Sequence, residues 1–323
     1  MNHQTPDLGT IEEAHHHLQP LIHHTPLVKS QGLSQISGVD IRFKAENLQR
    51  TGSFKIRGAL TKVRQLAHSG CPGVVTASSG NHGQAVAWAA RYFSLPCHVV
   101  VPTTAPRAKI DAARSYGAII HTYGTTSNDR LTFAEQLAKN LDYQFVPPYD
   151  DVAIMSGQGT VGLEILADWP DVNTILVPIG GGGLISGIAT AVKARAPHVR
   201  VVGVEPEGAA KATASRQAGQ RTSLESTASI ADGLLALTLG RLTHPIIEQL
   251  VDDIVTVSEE QIRKSWWLIA SRLKLVTEPS GATAAAYAFT STSHNLSGRV
   301  AVVLSGGNLD AAVAGQMANA MRA

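Results

Sequence analysis

The chain has 323 residues, 44% of them hydrophobic, and a formal net charge of +2 with no block of like charges. That size buries a large core and leads to an expectation of two lobes, and the balanced charge argues against nucleic acid or an acidic membrane as a partner. Apolar runs stay well short of the roughly 20 residues a membrane-spanning helix needs, and the first residues lack the basic and apolar regions of a signal peptide. The two cysteines, Cys71 and Cys97, have no metal-like spacing, so a cytoplasmic protein without a disulfide framework is expected.

Five histidines, His15, His16, His17, His23 and His24, crowd the first segment. Pro20 prevents one helix from carrying them all, so they read as solvated surface, with an adventitious metal patch as the alternative. From Val74 onward, short β-branched runs alternate with helical patterns. They predict a strand at 74–77, a helix over 80–92, a strand at 98–101, a helix over 108–116 and a strand at 118–121. Helices over 131–141 and 159–167, a strand at 174–177, a helix over 184–195 and strands at 199–204 and 300–304 follow. The Ser/Thr/Gln-rich stretch 217–229 reads as a long surface loop. Alternation at this spacing implies an α/β protein with parallel sheets flanked by helices. Ligands of such sheets bind beyond the carboxyl ends of the strands. The polar or glycine-rich segments 78–83, 180–183, 205–208 and 305–308 fall at those ends.

Two local features carry chemistry. Lys55 lies in the run Gly52-Ser53-Phe54-Lys55-Ile56-Arg57-Gly58, between small residues and beside an apolar ring. A lysine withdrawn from water is nucleophilic, because desolvation disfavours its charged form. A solvent-paired surface lysine is the alternative, and Arg57 reads as structural. Gly180, Gly181, Gly182 and Gly183 sit between a strand and a helix. Four glycines cost backbone entropy, which close approach of N–H groups to a phosphate offsets; a flexible turn is the alternative. No Lys-Ser/Thr follows them and the spacing is not Gly-x-Gly-x-x-Gly, so this is neither an ATP-type loop nor a dinucleotide fingerprint. An amine and an anion cradle are together what pyridoxal phosphate requires. Ser78, Ser79, Asn81 and His82 form a strand-to-helix turn that suits a carboxylate or simply caps the helix. Ser305 ends the last strand, where its hydroxyl meets a ring nitrogen or caps a turn.

The segments Lys44-Ala45-Glu46-Asn47-Leu48-Gln49-Arg50-Thr51-Gly52-Ser53-Phe54-Lys55, Ser78-Ser79-Gly80-Asn81-His82-Gly83, Val177-Pro178-Ile179-Gly180-Gly181-Gly182-Gly183 and Leu304-Ser305-Gly306-Gly307-Asn308 occur in this order. With Ile230-Ala231-Asp232-Gly233 and the run 251–258, they resemble the fold-type II pyridoxal phosphate enzymes of the serine/threonine dehydratase and serine racemase group, from about Thr25 to Asn308. The resemblance implies a two-domain, tryptophan synthase β-like α/β fold. Residues 1–72 and 149–323 would form the large cofactor domain and 73–148 the small one. It further implies that Lys55 bonds the cofactor aldehyde, Phe54 borders the ring, Asn81 meets the ring hydroxyl, residues 180–183 hold the phosphate and Ser305 meets the pyridine nitrogen. Ser78, Ser79, Asn81 and His82 would take the substrate carboxylate. The implied activity is dehydration and hydrolytic deamination of L-threonine or L-serine to a 2-oxo acid and ammonia, in a homodimer acting on a small amino acid. Serine racemisation or dehydration of threo-3-hydroxyaspartate is the alternative within the group, and a non-catalytic amino-acid-binding protein the alternative outside it.

Three positions bear on those alternatives. Ser79 matches the serine that racemases of the group place opposite the lysine, but dehydratases often share it. Arg130 matches an arginine of the racemases and hydroxyaspartate dehydratases and would accept a second carboxylate, with a surface arginine as the alternative. The divalent-cation site of those enzymes uses a glutamate, a carbonyl and an acid. Glu205 and Ala209 match the first two, but Lys211 stands third, which argues against a divalent cation and for an ammonium in its place. The sequence ends 15 residues past Asn308, so a catabolic role is expected rather than feedback-controlled synthesis.

Overall fold

Within residues 5–78, 80–103, 107–125, 127–290 and 296–321, which the computed structural model describes, the β-branched runs form ten strands. They are β1 (Leu27–Lys29), β2 (Asp40–Ala45), β3 (Val74–Ala77), β4 (Cys97–Val101), β5 (Ile119–Thr122), β6 (Gln144–Phe145), β7 (Thr174–Pro178), β8 (Arg200–Pro206), β9 (Asp253–Val257) and β10 (Arg299–Leu304). One sheet has the order β1-β2-β10-β7-β8-β9 and the other β5-β4-β3-β6. Every pairing is parallel except that of the edge strand β1 with β2. β7 is buried along its whole length, because helices cover both faces of the sheet and leave its side chains no route to water. The α/β expectation, with parallel sheets flanked by helices, holds.

On one face of the larger sheet, Phe43, Leu176 and Val302 pack with Ala282, Ala285 and Tyr287 of the helix Pro279–Ala288. On the other, Ile175, Val177 and Val303 pack with Ile185 and Ile188 of the helix Gly183–Arg195 and with Val161 of the helix Val152–Asp168. The helix Lys55–His68 buries Ile56, Leu60 and Val63 against Val74 and Val99 of the smaller sheet. Helices approach closely where glycine removes a side chain. A Cβ on Gly187 would lie 2.2 Å from Met155 O, and one on Gly157 2.5 Å from Arg57 O.

The sequence placed a helix at 159–167, but it starts at Val152. Asp151 caps it, accepting from Ala153 N at 2.9 Å and Ile154 N at 3.1 Å, which stabilises a glycine-rich first half that propensity disfavours. The loop placed at 217–229 begins after Ala218, where Gly219 ends the helix Lys211–Ala218 at φ 63°. Neighbouring strands bring the segments of interest together at their carboxyl ends. Pairing of β7 with β10 sets the four glycines beside Ser305, and pairing of β3 with β6 sets Ser78 beside the segment 146–148.

Candidate active site

Lys55 is the first residue of its helix, and the preceding loop is zipped onto the end of β10. Phe54 N donates to Ser305 O at 3.1 Å, Gly307 N donates to Gly52 O at 2.8 Å, and Ser53 and Gly306 form an antiparallel bridge. The Lys55 amine, partly buried, donates to Pro148 O at 2.7 Å and lies 5.2 Å from the centre of the Phe54 ring. Burial pulls its pKa down from 10.5 to about 8, against the opposing charge of Glu278. Roughly a tenth of the amine is therefore neutral, and nucleophilic, at pH 7, far more than for an unperturbed lysine. Beneath it, Arg57 is wholly buried and doubly bonded to both Glu46 and Glu164 at 2.7–2.8 Å. Lys44 completes this network 2.7 Å from Glu164.

The four glycines leave β7 and enter the helix Gly183–Arg195. Gly182 adopts φ +97°, which disfavours any side chain, and a Cβ on Gly181 would fall 2.3 Å from the Tyr149 ring. Thr243 Oγ1 donates to Gly181 O at 2.8 Å, turning that peptide so its oxygen faces the protein. Among the described residues, the N–H groups of Gly180, Gly181 and Gly182 donate to no backbone or side-chain acceptor. Donors at a helix amino terminus, with no Cβ in the way, form an anion cradle.

Asn81 opens the helix Asn81–Tyr92 and has its amide fixed at both ends. Its Nδ2 donates to Glu278 Oε1 at 2.6 Å, and its Oδ1 accepts from Asn308 Nδ2 at 2.7 Å. Asn308 also donates to Thr51 O at 2.8 Å, so this bridge ties the helix to the Lys55 loop. Ser305 is 3% exposed, with Oγ 3.5 Å from Ser280 O. The His82 ring is buried and donates from Nε2 to Val146 O at 3.1 Å. Burial and then the Lys55 charge push its pKa down to about 3. The side chain therefore brings no positive charge to a carboxylate, and what position 82 offers is its first-turn N–H.

Ser78 lies at the end of β3 and donates its N–H to Val100 O at 3.0 Å. Ser79 lies outside the described residues. Arg130 is in the first turn of the helix Ser127–Leu141, partly buried, with Nη1 3.4 Å from Thr125 O. At the third position of the cation pattern, the Lys211 ammonium lies 3.1 Å from Glu205 Oε1 and donates to Ala209 O at 2.8 Å.

Sequence reasoning missed Pro148, Tyr149 and Glu278. Pro148 holds the amine, Tyr149 backs the glycine cradle, and Glu278 orients Asn81. The pair Glu278-Pro279 carried a signal, since proline at a first helical position marks a helix start and makes the preceding side chain a cap candidate. The Pro147-Pro148-Tyr149 crossover carried none beyond its turn character.

These residues fit pyridoxal phosphate. They offer a desolvated amine, a glycine cradle and a neutral hydroxyl, and Thr51 Oγ1, Ser53 Oγ, Thr277 Oγ1 and His82 Nδ1 are buried without partners among the described residues. Buried polar atoms without partners are costly unless a ligand or water meets them. A family model described as "Pyridoxal-phosphate dependent enzyme" matches residues 18–306. The L-threonine ammonia-lyase of Geobacter sulfurreducens is 44% identical over 301 residues, 93% of this chain and 75% of that one. The serine racemase of Arabidopsis thaliana is 42% identical over 310 residues, 94% of this chain and 93% of that one. The structure of maize serine racemase superposes with a TM-score of 0.93 at 37% identity, covering 98% of both chains.

Proposed function

The chain belongs to the pyridoxal-phosphate dependent enzyme family, and from that membership we propose that it removes the β-hydroxyl of L-threonine or L-serine as water, the resulting enamine then taking up water to give a 2-oxo acid and ammonia. The observation that carries this reading is the Lys55 amine, lowered to about 8 beside a glycine cradle. When bound, pyridoxal phosphate supplies an aldehyde for the substrate amine and a ring that withdraws the charge left on Cα. Residues 180–183 would hold its phosphate, Phe54 would border the ring, Asn81 would meet the ring hydroxyl and Ser305 the ring nitrogen. The neutral Lys55 amine takes the proton from the substrate Cα. The N–H groups of Asn81 and His82, with Ser78 and Ser79, orient the substrate carboxylate. Ser305 offers a neutral hydroxyl where a carboxylate would hold a charged ring, which would favour loss of a β-hydroxyl.

Serine racemisation is the second reading, favoured by the likeness to the Arabidopsis enzyme. Arg130 would suit a substrate with a second carboxylate, such as 3-hydroxyaspartate. The deciding experiment incubates the protein and pyridoxal phosphate with L-threonine, L-serine and threo-3-hydroxyaspartate, and follows 2-oxo acid and chirality. Fastest 2-oxo acid from threonine or serine is expected. D-serine formed faster than pyruvate reverses the ranking, and no turnover of any substrate points to a binding protein.

The smaller sheet draws all its strands from residues 74–145, which supports 73–148 as a small domain and 1–72 with 149–323 as a large one. A homodimer is proposed on the exposed apolar side chains Leu48, Val276 and Trp267; Asn47 Nδ2 donates to Val276 O at 3.0 Å and joins two of these segments. Sedimentation at micromolar concentration tests it. Among the described residues no helix is long and apolar enough to cross a membrane. A cytoplasmic location is proposed on the unpaired Cys71 and Cys97 and is tested by cell fractionation.

A further inference from the structure

Lys211 is 0% exposed. Its ammonium donates to Ala209 O at 2.8 Å, Ile179 O at 2.9 Å and Leu234 O at 3.1 Å, and lies 3.1 Å from Glu205 Oε1. Three carbonyls for three N–H groups is a full complement, which a neutral amine would leave incomplete. Carbonyl and carboxylate oxygens converging on one point are also the donor set of a hard cation. The residues do not fit a dissolved ion, because the point of convergence already carries the ammonium. Glu205 spends its remaining capacity on Ala212 N, Thr213 N and Thr213 Oγ1. Burial lowers the Lys211 pKa and Glu205 opposes that shift.

We propose that the Lys211 ammonium is a resident, tethered cation that replaces a metal ion and holds the glycine loop in its binding shape. The connection to the loop is short. Ile179 directly precedes Gly180, and Leu234 directly follows Gly233, whose carbonyl oxygen lies 3.2 Å from where a Cβ on Gly180 would stand. Gly233 N donates to Ser280 Oγ at 2.9 Å, and Ser280 O lies 3.5 Å from Ser305 Oγ. One buried charge thus joins the end of β7, the end of β8, the turn Asp232–Leu234 and, through Ser280, the end of β10. A tethered cation loses no translational freedom on binding and is not removed by chelation or dilution.

The readout of cofactor affinity rests on the proposed role of residues 180–183; the unfolding readout does not. The test compares wild type, Lys211→Met and the double variant Lys211→Met/Glu205→Gln after exhaustive chelation. It measures the thermal unfolding midpoint of the cofactor-free protein and its affinity for pyridoxal phosphate by absorbance titration. Wild type should show the same midpoint and affinity with and without magnesium, calcium or potassium. Lys211→Met should unfold earlier and bind the cofactor about tenfold or more weakly, with ammonium ion at high concentration restoring both in part. The double variant removes the unpaired buried charge, so its midpoint should recover in part, the undonated carbonyls accounting for the remainder. Its cofactor affinity should not, because Ile179 O and Leu234 O still lack a donor. Wild-type affinity in the double variant overturns the proposal, as does a wild-type midpoint that falls on chelation and returns with magnesium. A wild type that takes up no pyridoxal phosphate sinks the cofactor reading alone, while the midpoints and the ammonium response still decide the role of Lys211.

Discussion

Lys55 and Lys211 both open helices, where the macrodipole disfavours a cation, and both stand near a glutamate. Their surroundings differ in the number of oxygens they can reach. Lys211 has three carbonyls and the Glu205 carboxylate within 3.1 Å. Among the described residues Lys55 has the single carbonyl of Pro148 at 2.7 Å, and Glu278, whose carboxylate is engaged by Asn81, acts on it as a charge. Desolvation works against the charge on both. Full coordination gives the Lys211 ammonium an acceptor for each N–H and so opposes the loss of its charge, while sparse coordination leaves Lys55 able to release its proton and offer a lone pair. The same side chain is structural or reactive according to how many acceptors the fold delivers to its tip.

The largest effect expected is at Lys55. Lys55→Ala should abolish covalent uptake of pyridoxal phosphate, read as loss of the bound-cofactor absorbance, and should lower 2-oxo acid formation by about 10³-fold or more. The unfolding midpoint should barely move, since one partly buried amine with one hydrogen bond is removed. A variant that keeps the absorbance would assign the reactive amine elsewhere and end the comparison.

Much of this arrangement was legible from residue order, and the reasons for the gaps are physical. Runs such as Thr174–Pro178 are continuous apolar stretches that announce a doubly buried strand. The helix Pro279–Ala288 went unseen because all ten of its residues are buried, so it has no polar face and no 3.6-residue period. Lys55 and the glycines were readable because lysine among small residues and four glycines in series are locally unusual. Glu278 was not, because its meaning depends on Asn81, 197 positions away. The oxygens around Lys211 include two carbonyls, of Ile179 and Leu234, that every residue type carries, and only folding reveals where they point.

A smaller effect sharpens the comparison by separating stability from reactivity. Arg57 is wholly buried two residues from Lys55, bonded to Glu46 and Glu164, with Thr160 Oγ1 at 3.0 Å. Arg57→Met strands two buried carboxylates and should cost about 3–5 kcal/mol of stability, measured by denaturant unfolding. The charges that set the Lys55 pKa do not include Arg57. The pH midpoint for covalent capture of pyridoxal phosphate should therefore stay near 8 in the folded variant. A midpoint that moves with Arg57 would show that the ion network tunes the amine as well as supporting it.

The smallest effect concerns Glu278, a positioning residue by geometry and a tuning charge by proximity. Only the neutral Lys55 amine captures an aldehyde, so the capture rate should rise with pH through about 8, the lowered Lys55 value. Glu278 raises that value, so removing its charge must lower it. Glu278→Gln keeps an oxygen to accept from Asn81 Nδ2 and removes only the charge. Its capture rate at pH 7 should increase about three- to tenfold, because each unit of pKa changes the neutral fraction tenfold well below the midpoint. Above pH 9 the two proteins should converge, since the amine is then largely neutral in both. His82 stays neutral throughout, with its pKa pushed down to about 3, and adds no second inflection. Glu278→Ala removes the acceptor as well and should weaken cofactor affinity as Asn81 loses its fixed orientation. A capture profile that is the same in wild type and Glu278→Gln would mean that burial alone sets the Lys55 proton. The contrast with Lys211 would then rest on coordination number without any part played by the glutamate.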